Sequence, residues 1–313
     1  MFSNPHVATV AAYLWPHRLD ERRFPVERKL YRTEPGVEVL VESQRPAGTP
    51  RGEIVMVHGL EGSSRARYLR RAARGALEAG WATHRLNLRS CGGTEAQANG
   101  GYHSGLTTDL RAVLEQLRAE GRGPLFATGV SLGGNLVLKL AGELGEHGRE
   151  LLAGVCAISP PIDLAACVGR LETLENRYYE RRFLKQLKRR VNALHCLHPE
   201  RLPLDGIESV ASLREFDNRF TARWFGFRDG AEYYDTQSSR HFLAAIRIPA
   251  LIVQAKDDPM IPFEIFERPE ARGNPCVELV ATEHGGHLGF VSRRRPVLWA
   301  DRLTLEWMER HAG

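Results

Sequence analysis

The chain has 313 residues, 42% of them hydrophobic, enough to bury a full core in one large domain or in a domain carrying a sizeable insertion. Lys and Arg number 43 against 38 Asp and Glu, for a net charge of +5 and a pI of about 9.1, and no long segment is both basic and free of acids, which disfavours a nucleic-acid partner. Five scattered cysteines (Cys91, Cys156, Cys167, Cys196, Cys276), without a C-x-x-C pair, argue against a disulfide framework and make a reducing compartment, by default the cytoplasm, the expected location.

In chain order, the first apolar run is Val7 to Trp15. It follows Pro5 and His6 rather than a basic region, lacks a cleavage site and is too short to span a bilayer, so neither secretion nor a membrane span is expected. A short helix on the body of the protein is preferred to one lying on lipid. Val26 to Leu30 and Val37 to Val41 flank the turn Pro35-Gly36 and read as an antiparallel strand pair at the edge of a sheet. From Glu53 onward short apolar runs alternate with helical periodicity: Ile54 to Val57, a helix near Arg65 to Ala79, then Trp81 to Leu88. A further helix carries Leu106, Leu110, Val113, Leu114 and Leu117, followed by a strand at Leu125 to Gly129. The next helix buries Leu132, Leu136, Leu140 and Leu144, and Leu152 to Ile158 is another buried strand. The alternation returns at Ile248 to Gln254 and Cys276 to Ala281, ending in a helix with Trp299, Leu303 and Trp307. This is a mostly parallel α/β sheet with helices on both faces. The stretch between is rich in helix formers and aromatics. It reads as an inserted helical cap over 160–245, dividing the core into 1–159 and 246–313.

Gly129-Val130-Ser131-Leu132-Gly133 matches G-x-S-x-G, in which a serine sits on a sharp strand-to-helix turn. Side chains at 129 or 133 would clash with neighbouring backbone and block approach to the serine oxygen. The bare pattern arises by chance in roughly one chain of this length in ten, so its weight comes from context: an apolar strand before it and an amphipathic helix after it. A serine needs a base within hydrogen-bond reach, and the base an orienting acid. In this setting both come late, on loops at the carboxyl ends of strands. After one late strand comes Asp257-Asp258-Pro259, and after the other His284-Gly285-Gly286-His287. Asp258 is chosen because the prolines at 259 and 262 stiffen its turn, with Asp257 as second choice. His287 is chosen because the two glycines before it free the backbone to turn its ring toward the serine, with His284 as second choice. The oxyanion of acyl transfer requires N–H donors. The backbone of Leu132 is one, and Leu60, in the loop His58-Gly59-Leu60-Glu61-Gly62, is the other; His58 is read as bracing that loop.

At these residues the chain resembles the YheT-like branch of the α/β-hydrolases, which includes fungal medium-chain acyltransferase/esterases and animal lipid hydrolases. The matching pieces are Asn4-Pro5-His6, His58 to Gly62, Arg89-Ser90-Cys91-Gly92-Gly93, Tyr102-His103-Ser104-Gly105, Gly129 to Asn135, Asp257-Asp258-Pro259 and His284 to Phe290. The resemblance implies an α/β-hydrolase fold and a Ser131, Asp258, His287 triad. One departure is Val7-Ala8-Thr9 in place of the usual Leu-Gln-Thr, which bears on N-terminal packing rather than on chemistry.

Arg170 to Arg190 holds eight basic residues against three acids, interleaved with Leu171, Leu174, Tyr178, Leu184 and Leu187. It is read as one basic amphipathic cap helix packed on the body, in preference to a membrane contact. His195, Cys196 and His198 lack a zinc spacing, so no metal is expected, and no diffusible cofactor. The expected function is hydrolysis of a small-molecule or lipid ester, including medium-chain acyl esters. Acyl transfer to an alcohol or thiol is the alternative, and a noncatalytic binding protein on the same fold is disfavoured.

Overall fold

A computed structural model describes residues 4–14, 19–121, 123–290 and 299–312. Strands β1 (Glu27–Glu34) and β2 (Val37–Gln44) pair antiparallel across Pro35-Gly36, where Gly36 takes the positive φ of 74° that the tight turn demands. The remaining strands are β3 (Glu53–Val57), β4 (Ala82–Leu86), β5 (Leu125–Val130), β6 (Gly154–Ile158), β7 (Ala250–Ala255) and β8 (Val277–Thr282). They run parallel in one sheet of order β1-β2-β4-β3-β5-β6-β7-β8, with β2 antiparallel to β4. The expected antiparallel edge and parallel centre are therefore both present, with strand ends within a few residues of those expected.

Strands β3 to β7 are buried along their whole length, so both faces must be apolar. Alternate residues sort into two cores. Val55, Val57, Ala127, Val155, Ala157 and Ile252 face one way, toward α3 (Thr108–Ala119) and α4 (Leu132–Leu144). Ile54, Met56, Phe126, Cys156, Leu251 and Val253 face α2 (Arg67–Glu78) and the C-terminal helix Trp299–His311. In α3, Leu110, Val113, Leu114 and Leu117 lie on one stripe and are all buried, each worth roughly 1.5–3 kcal/mol. That packing, more than intrinsic propensity, fixes the helix.

The N-terminal run forms α1 (Pro5–Leu14), buried through Ala8, Thr9 and Ala12; Trp15 lies outside the described residues. Between β6 and β7 the chain is wholly helical or irregular. Its longer helices are α5 (Leu164–Leu171), N-capped by the Asp163 carboxylate on the Ala166 N–H, α6 (Arg177–Leu197) and α7 (Gly230–Gln237). One expectation needs correction here. The basic stretch Arg170 to Arg190 is not one helix, because a 3₁₀ turn at Leu174–Asn176 separates α5 from α6. The Asn176 side chain stabilises that turn by donating to the carbonyls of Arg170 and Pro259. As a result Leu171, Leu184 and Leu187 pack inward, while Leu174 and Tyr178 are 82% and 67% exposed. His195 and His198 make separate hydrogen bonds, to the Leu202 and Ala98 carbonyls, as packing residues would. Among the described residues no helix is long and apolar enough to cross a membrane.

Candidate active site

Ser131 sits between β5 and α4 with φ 54° and ψ −123°, a conformation that side-chain-bearing residues seldom adopt, and its own N–H donates to the Ile158 carbonyl at 2.8 Å. The turn is as tight as the two glycines implied: a Cβ on Gly129 would lie 2.0 Å from the Gly133 oxygen, and one on Gly133 2.5 Å from the Val57 oxygen. Ser131 has company in its strain. All six described non-glycine residues with positive φ lie in loops at the carboxyl ends of parallel strands: Glu61 after β3, Ser90 after β4, Ser131 after β5, Ser159 after β6, Leu288 and Phe290 after β8. Such strain persists where surrounding contacts over-determine the backbone, and it concentrates at functional edges of sheets.

Three of the residues singled out in the sequence meet at this edge. His287 Nε2 is 3.1 Å from Ser131 Oγ, and His287 Nδ1 is 2.9 Å from Asp258 Oδ2. A carboxylate can only accept, so Nδ1 carries the ring proton and Nε2 is left to accept from the serine hydroxyl. Asp258 is held by its turn: Oδ1 accepts from the N–H groups of Met260 (2.8 Å) and Ile261 (3.1 Å), and Oδ2 also accepts from Gln254 Nε2 (3.3 Å). The second choices, Asp257 and His284, pair with each other at 3.1 Å, and His284 is exposed. Asp257 Oδ1 further accepts the N–H groups of Gly285 and Gly286 at 2.8 and 2.9 Å, and so shapes the loop that presents His287.

In the loop after β3, nearly every amide is already engaged. Gly59 N–H donates to the Tyr68 hydroxyl (2.8 Å), Glu61 N–H to the Tyr102 hydroxyl (2.9 Å) and Gly62 N–H to the Gly59 carbonyl (3.0 Å). Leu60 N–H has no protein acceptor among the described residues, and neither has Leu132 N–H at the first turn of α4. His58 spends both nitrogens inside the loop: Nε2 accepts from Leu88 N–H (3.1 Å), leaving Nδ1 to donate to the Gly59 carbonyl (2.8 Å). Complete burial pushes its pKa down to about 4, so the ring is neutral and braced rather than free to exchange protons.

The same loop is tied to α6. Arg190 makes a two-armed contact with Glu61, Nη2 to Oε1 at 2.8 Å and Nε to Oε2 at 3.1 Å, with both side chains nearly buried. Its guanidinium lies 4.6 Å from the centre of the Tyr102 ring and reaches the Ser90 carbonyl and Cys91 Sγ. Burial disfavours the guanidinium charge, but Tyr102, Cys91 and Glu61 more than offset it and hold the group firmly protonated. Three motif segments thus converge on one arginine that the sequence hid in a basic run.

Ser131, His287, Leu60 and Leu132 open onto a cavity of about 110 Å³. Much of its wall is apolar and comes from between β6 and β7: Leu164, Cys167, Val168, Leu171, Phe183 and Leu187. Its polar members are fewer. His103, held among Phe225, Phe227 and Tyr233, is pushed by burial to a pKa of about 3. Asp217 is pushed by burial up to about 6 and accepts from the hydroxyls of Thr221 (2.6 Å) and Tyr234 (2.7 Å). A mainly apolar cavity with a few fixed polar groups suits a substrate with a hydrocarbon part. Among the described residues no group of three or more His, Cys, Asp or Glu is placed to hold a metal ion.

Sequence reasoning missed Thr9 and Asn135 as supports of the site. Thr9 Oγ1 on α1 accepts the N–H of His287 at 2.8 Å, a contact across 278 positions that no local signal announces. Asn135 donates to the Ser104 and Gln237 carbonyls and accepts from Ser239 N–H, joining α4 to the end of α7; its place in the Gly129 to Asn135 motif was the available hint.

Comparison with known proteins bears on the family and the fold. A family model described as alpha/beta hydrolase fold matches residues 53–293. The putative esterase YheT of Escherichia coli is 34% identical, over 98% of this chain and 91% of that protein. The mouse phospholipase ABHD3 is 32% identical over 83% of this chain, and the matched region is only 64% of the mouse protein. The structure of the Pyrococcus furiosus esterase Pf2001 superposes with a TM-score of 0.63 at 16% identity, covering 95% of this chain and 97% of that one, a likeness of fold.

Proposed function

Since the chain belongs to the α/β-hydrolase fold family, in its YheT-like branch, we propose that it is a serine hydrolase of carboxylic esters that works through an acyl-enzyme on Ser131. The observation that carries this reading is the hydrogen-bonded series from Ser131 Oγ through the His287 ring to the Asp258 carboxylate. In the proposed mechanism Ser131 Oγ attacks the ester carbonyl while His287 Nε2 takes its proton, and Asp258 steadies the imidazolium. The negative charge that develops on the carbonyl oxygen is met by the N–H groups of Leu60 and Leu132, neither of which has a protein acceptor among the described residues. His287 then protonates the leaving alcohol. Water repeats the sequence on the acyl-enzyme, giving up a proton to His287 that returns to Ser131 as the acid departs.

In the same reading residues 160–245 form a cap between the core segments 1–159 and 246–313, and the apolar side chains it adds to the cavity select the acyl or leaving group. Esters with a medium-length or lipid chain are the substrates proposed. All five cysteines are free thiols, which fits the cytoplasm as the proposed compartment.

The test is labelling by a fluorophosphonate probe together with turnover of p-nitrophenyl esters of graded chain length, for the unmodified protein and Ser131→Ala. The expected result is labelling and turnover by the first, and a loss of roughly 10⁴-fold or more in the second. A folded unmodified protein that neither labels nor turns over any ester would overturn the assignment. Product analysis with an added alcohol separates hydrolysis from acyl transfer.

A further inference from the structure

Among the described residues eight large apolar side chains are markedly exposed, and six of them lie on α1 or about the start of α6: Val7, Val10, Tyr13, Leu14, Leu174 and Tyr178. Remote in sequence, these two segments are joined in space. His6 stacks on Tyr179 with ring centres 5.7 Å apart, and its Nδ1 lies 3.1 Å from the Tyr179 hydroxyl. Arg182 donates to the Tyr13 hydroxyl at 3.1 Å, with its guanidinium 5.0 Å from the ring centre. Tyr13 and Tyr178 therefore belong to one surface region, and apolar side chains concentrated on one region mark a contact site.

Charge narrows what that contact is. Arg177, Arg181, Lys185 and Arg189 follow one another at four-residue spacing on α6, and all four are exposed. None of them forms an ion pair among the described residues, whereas Arg170, Arg190, Arg214, Arg219 and Arg240 in the same part of the chain all do. A second copy of the chain meeting this region across a two-fold axis would bring the cationic row against itself, which disfavours self-association. Apolar side chains beside an uncompensated basic row match the interface of an anionic bilayer instead.

The position matters as much as the composition. Helix α1 is bonded to the backbone of His287 through Thr9, and Gly286 lies so close to α1 that a Cβ there would be 2.4 Å from the Pro5 oxygen. The exposed face of α1 is thus one helix away from the site. We propose that α1 and the start of α6 form a docking surface for an anionic lipid bilayer, with the apolar side chains at the acyl boundary and the Arg177 to Arg189 row on the headgroups. This surface goes beyond the ester chemistry and does not rest on it, since the Ser131→Ala protein must dock equally well.

The experiment is cosedimentation of the full chain with phosphatidylcholine vesicles, with and without about one quarter phosphatidylglycerol, and release at about 0.5 M salt, where screening removes the headgroup attraction. Binding at least tenfold tighter to the anionic vesicles, lost at high salt, is expected of both the unmodified and Ser131→Ala proteins. Replacing Arg177, Arg181 and Lys185 by Gln together should weaken it about fivefold per charge removed. Val10→Asp with Tyr178→Asp should abolish it while turnover of soluble p-nitrophenyl acetate stays unchanged. Equal partition onto neutral and anionic vesicles, or no salt dependence, overturns the proposal without any variant being made. So does a dimer in sedimentation velocity that Val10→Asp with Tyr178→Asp splits while vesicles bind neither form.

Discussion

Arg190 illustrates how a single side chain can link a peripheral helix to the chemistry. Its partner Glu61 is adjacent to Leu60, whose N–H we propose as an oxyanion donor, and Glu61 itself is held at φ 55°. Removing one partner of a buried ion pair leaves the other charge uncompensated, typically at a cost of about 3–5 kcal/mol. Arg190→Met is therefore expected to lower kcat at least tenfold through a displaced Leu60 amide, with a smaller change in KM. Arg190→Lys should recover part of the loss. In a double-mutant cycle, Glu61→Ala in the Arg190→Met background should cost little further, because the two act as a unit; steady-state kinetics and thermal unfolding on all four proteins check this. Additive losses would mean the pair does not position the loop. The residue scale is also where legibility was most uneven. Ser131, Asp258 and His287 each stood in a distinctive local pattern, and His287 comes within hydrogen-bond distance of both of the others. Arg190 and Thr9 stood in none, because their roles depend on contacts 129 and 278 positions away.

At the scale of elements, the junction of β5 and α4 is where sequence and backbone constrain each other most tightly. A Cβ on Gly129 would fall 2.0 Å from a backbone oxygen that no side-chain rotation can move, so Gly129→Ala should cost more than about 3 kcal/mol and abolish turnover. A glycine elsewhere behaves oppositely. Gly75 lies inside α2, and a Cβ there meets only Leu305 Cδ1 at 3.7 Å, an ordinary contact. Gly75→Ala is expected to stabilise the protein by about 0.5–1 kcal/mol by reducing the freedom of the unfolded chain. Urea unfolding of the two variants beside the unmodified protein measures both signs at once. The strands and their helices were legible because burial on both faces leaves continuous apolar runs, and helices packed on one side leave a three-and-four spacing. The break between α5 and α6 was not, because the turn at Leu174–Asn176 is set by an asparagine bonding to a carbonyl on a distant loop.

For the whole molecule, the buried titratable groups make a signed prediction about pH. His58 and His103 hold pKa values of about 4 and 3 in the folded protein, against 6.5 unperturbed, so the unfolded chain takes up their protons first. Their contribution is complete above pH 6.5 and is lost as the pH falls toward about 4 for His58 and about 3 for His103. Asp217 works the other way: at about 6, against 3.8, it binds its proton in the folded state first and favours folding on acidification over the same range. Near pH 5 the unfolded chain then holds a net one proton more from these three groups, so their combined contribution to the unfolding free energy should rise with pH by roughly 1 kcal/mol per unit. Asp217→Asn removes the opposing group and should steepen the slope toward twice that. Urea titrations between pH 4.5 and 6.5 test this, and an unchanged slope in the variant would contradict a buried, reluctantly ionised carboxyl. Taken by itself, the sequence determined the order and type of the sheet elements, the strand-to-helix turn at Ser131 and the late acid and histidine, because each leaves its mark within a few residues through burial periodicity or steric need. Only the tertiary structure decided which histidine lies beside Ser131 and which aspartate is bonded to that histidine, that α1 supports the His287 loop, that Arg190 ties α6 to Glu61, and that α1 and α6 share an apolar, basic surface. Those are products of packing between segments far apart in the chain, where the contact energy is shared by residues that carry no common local pattern.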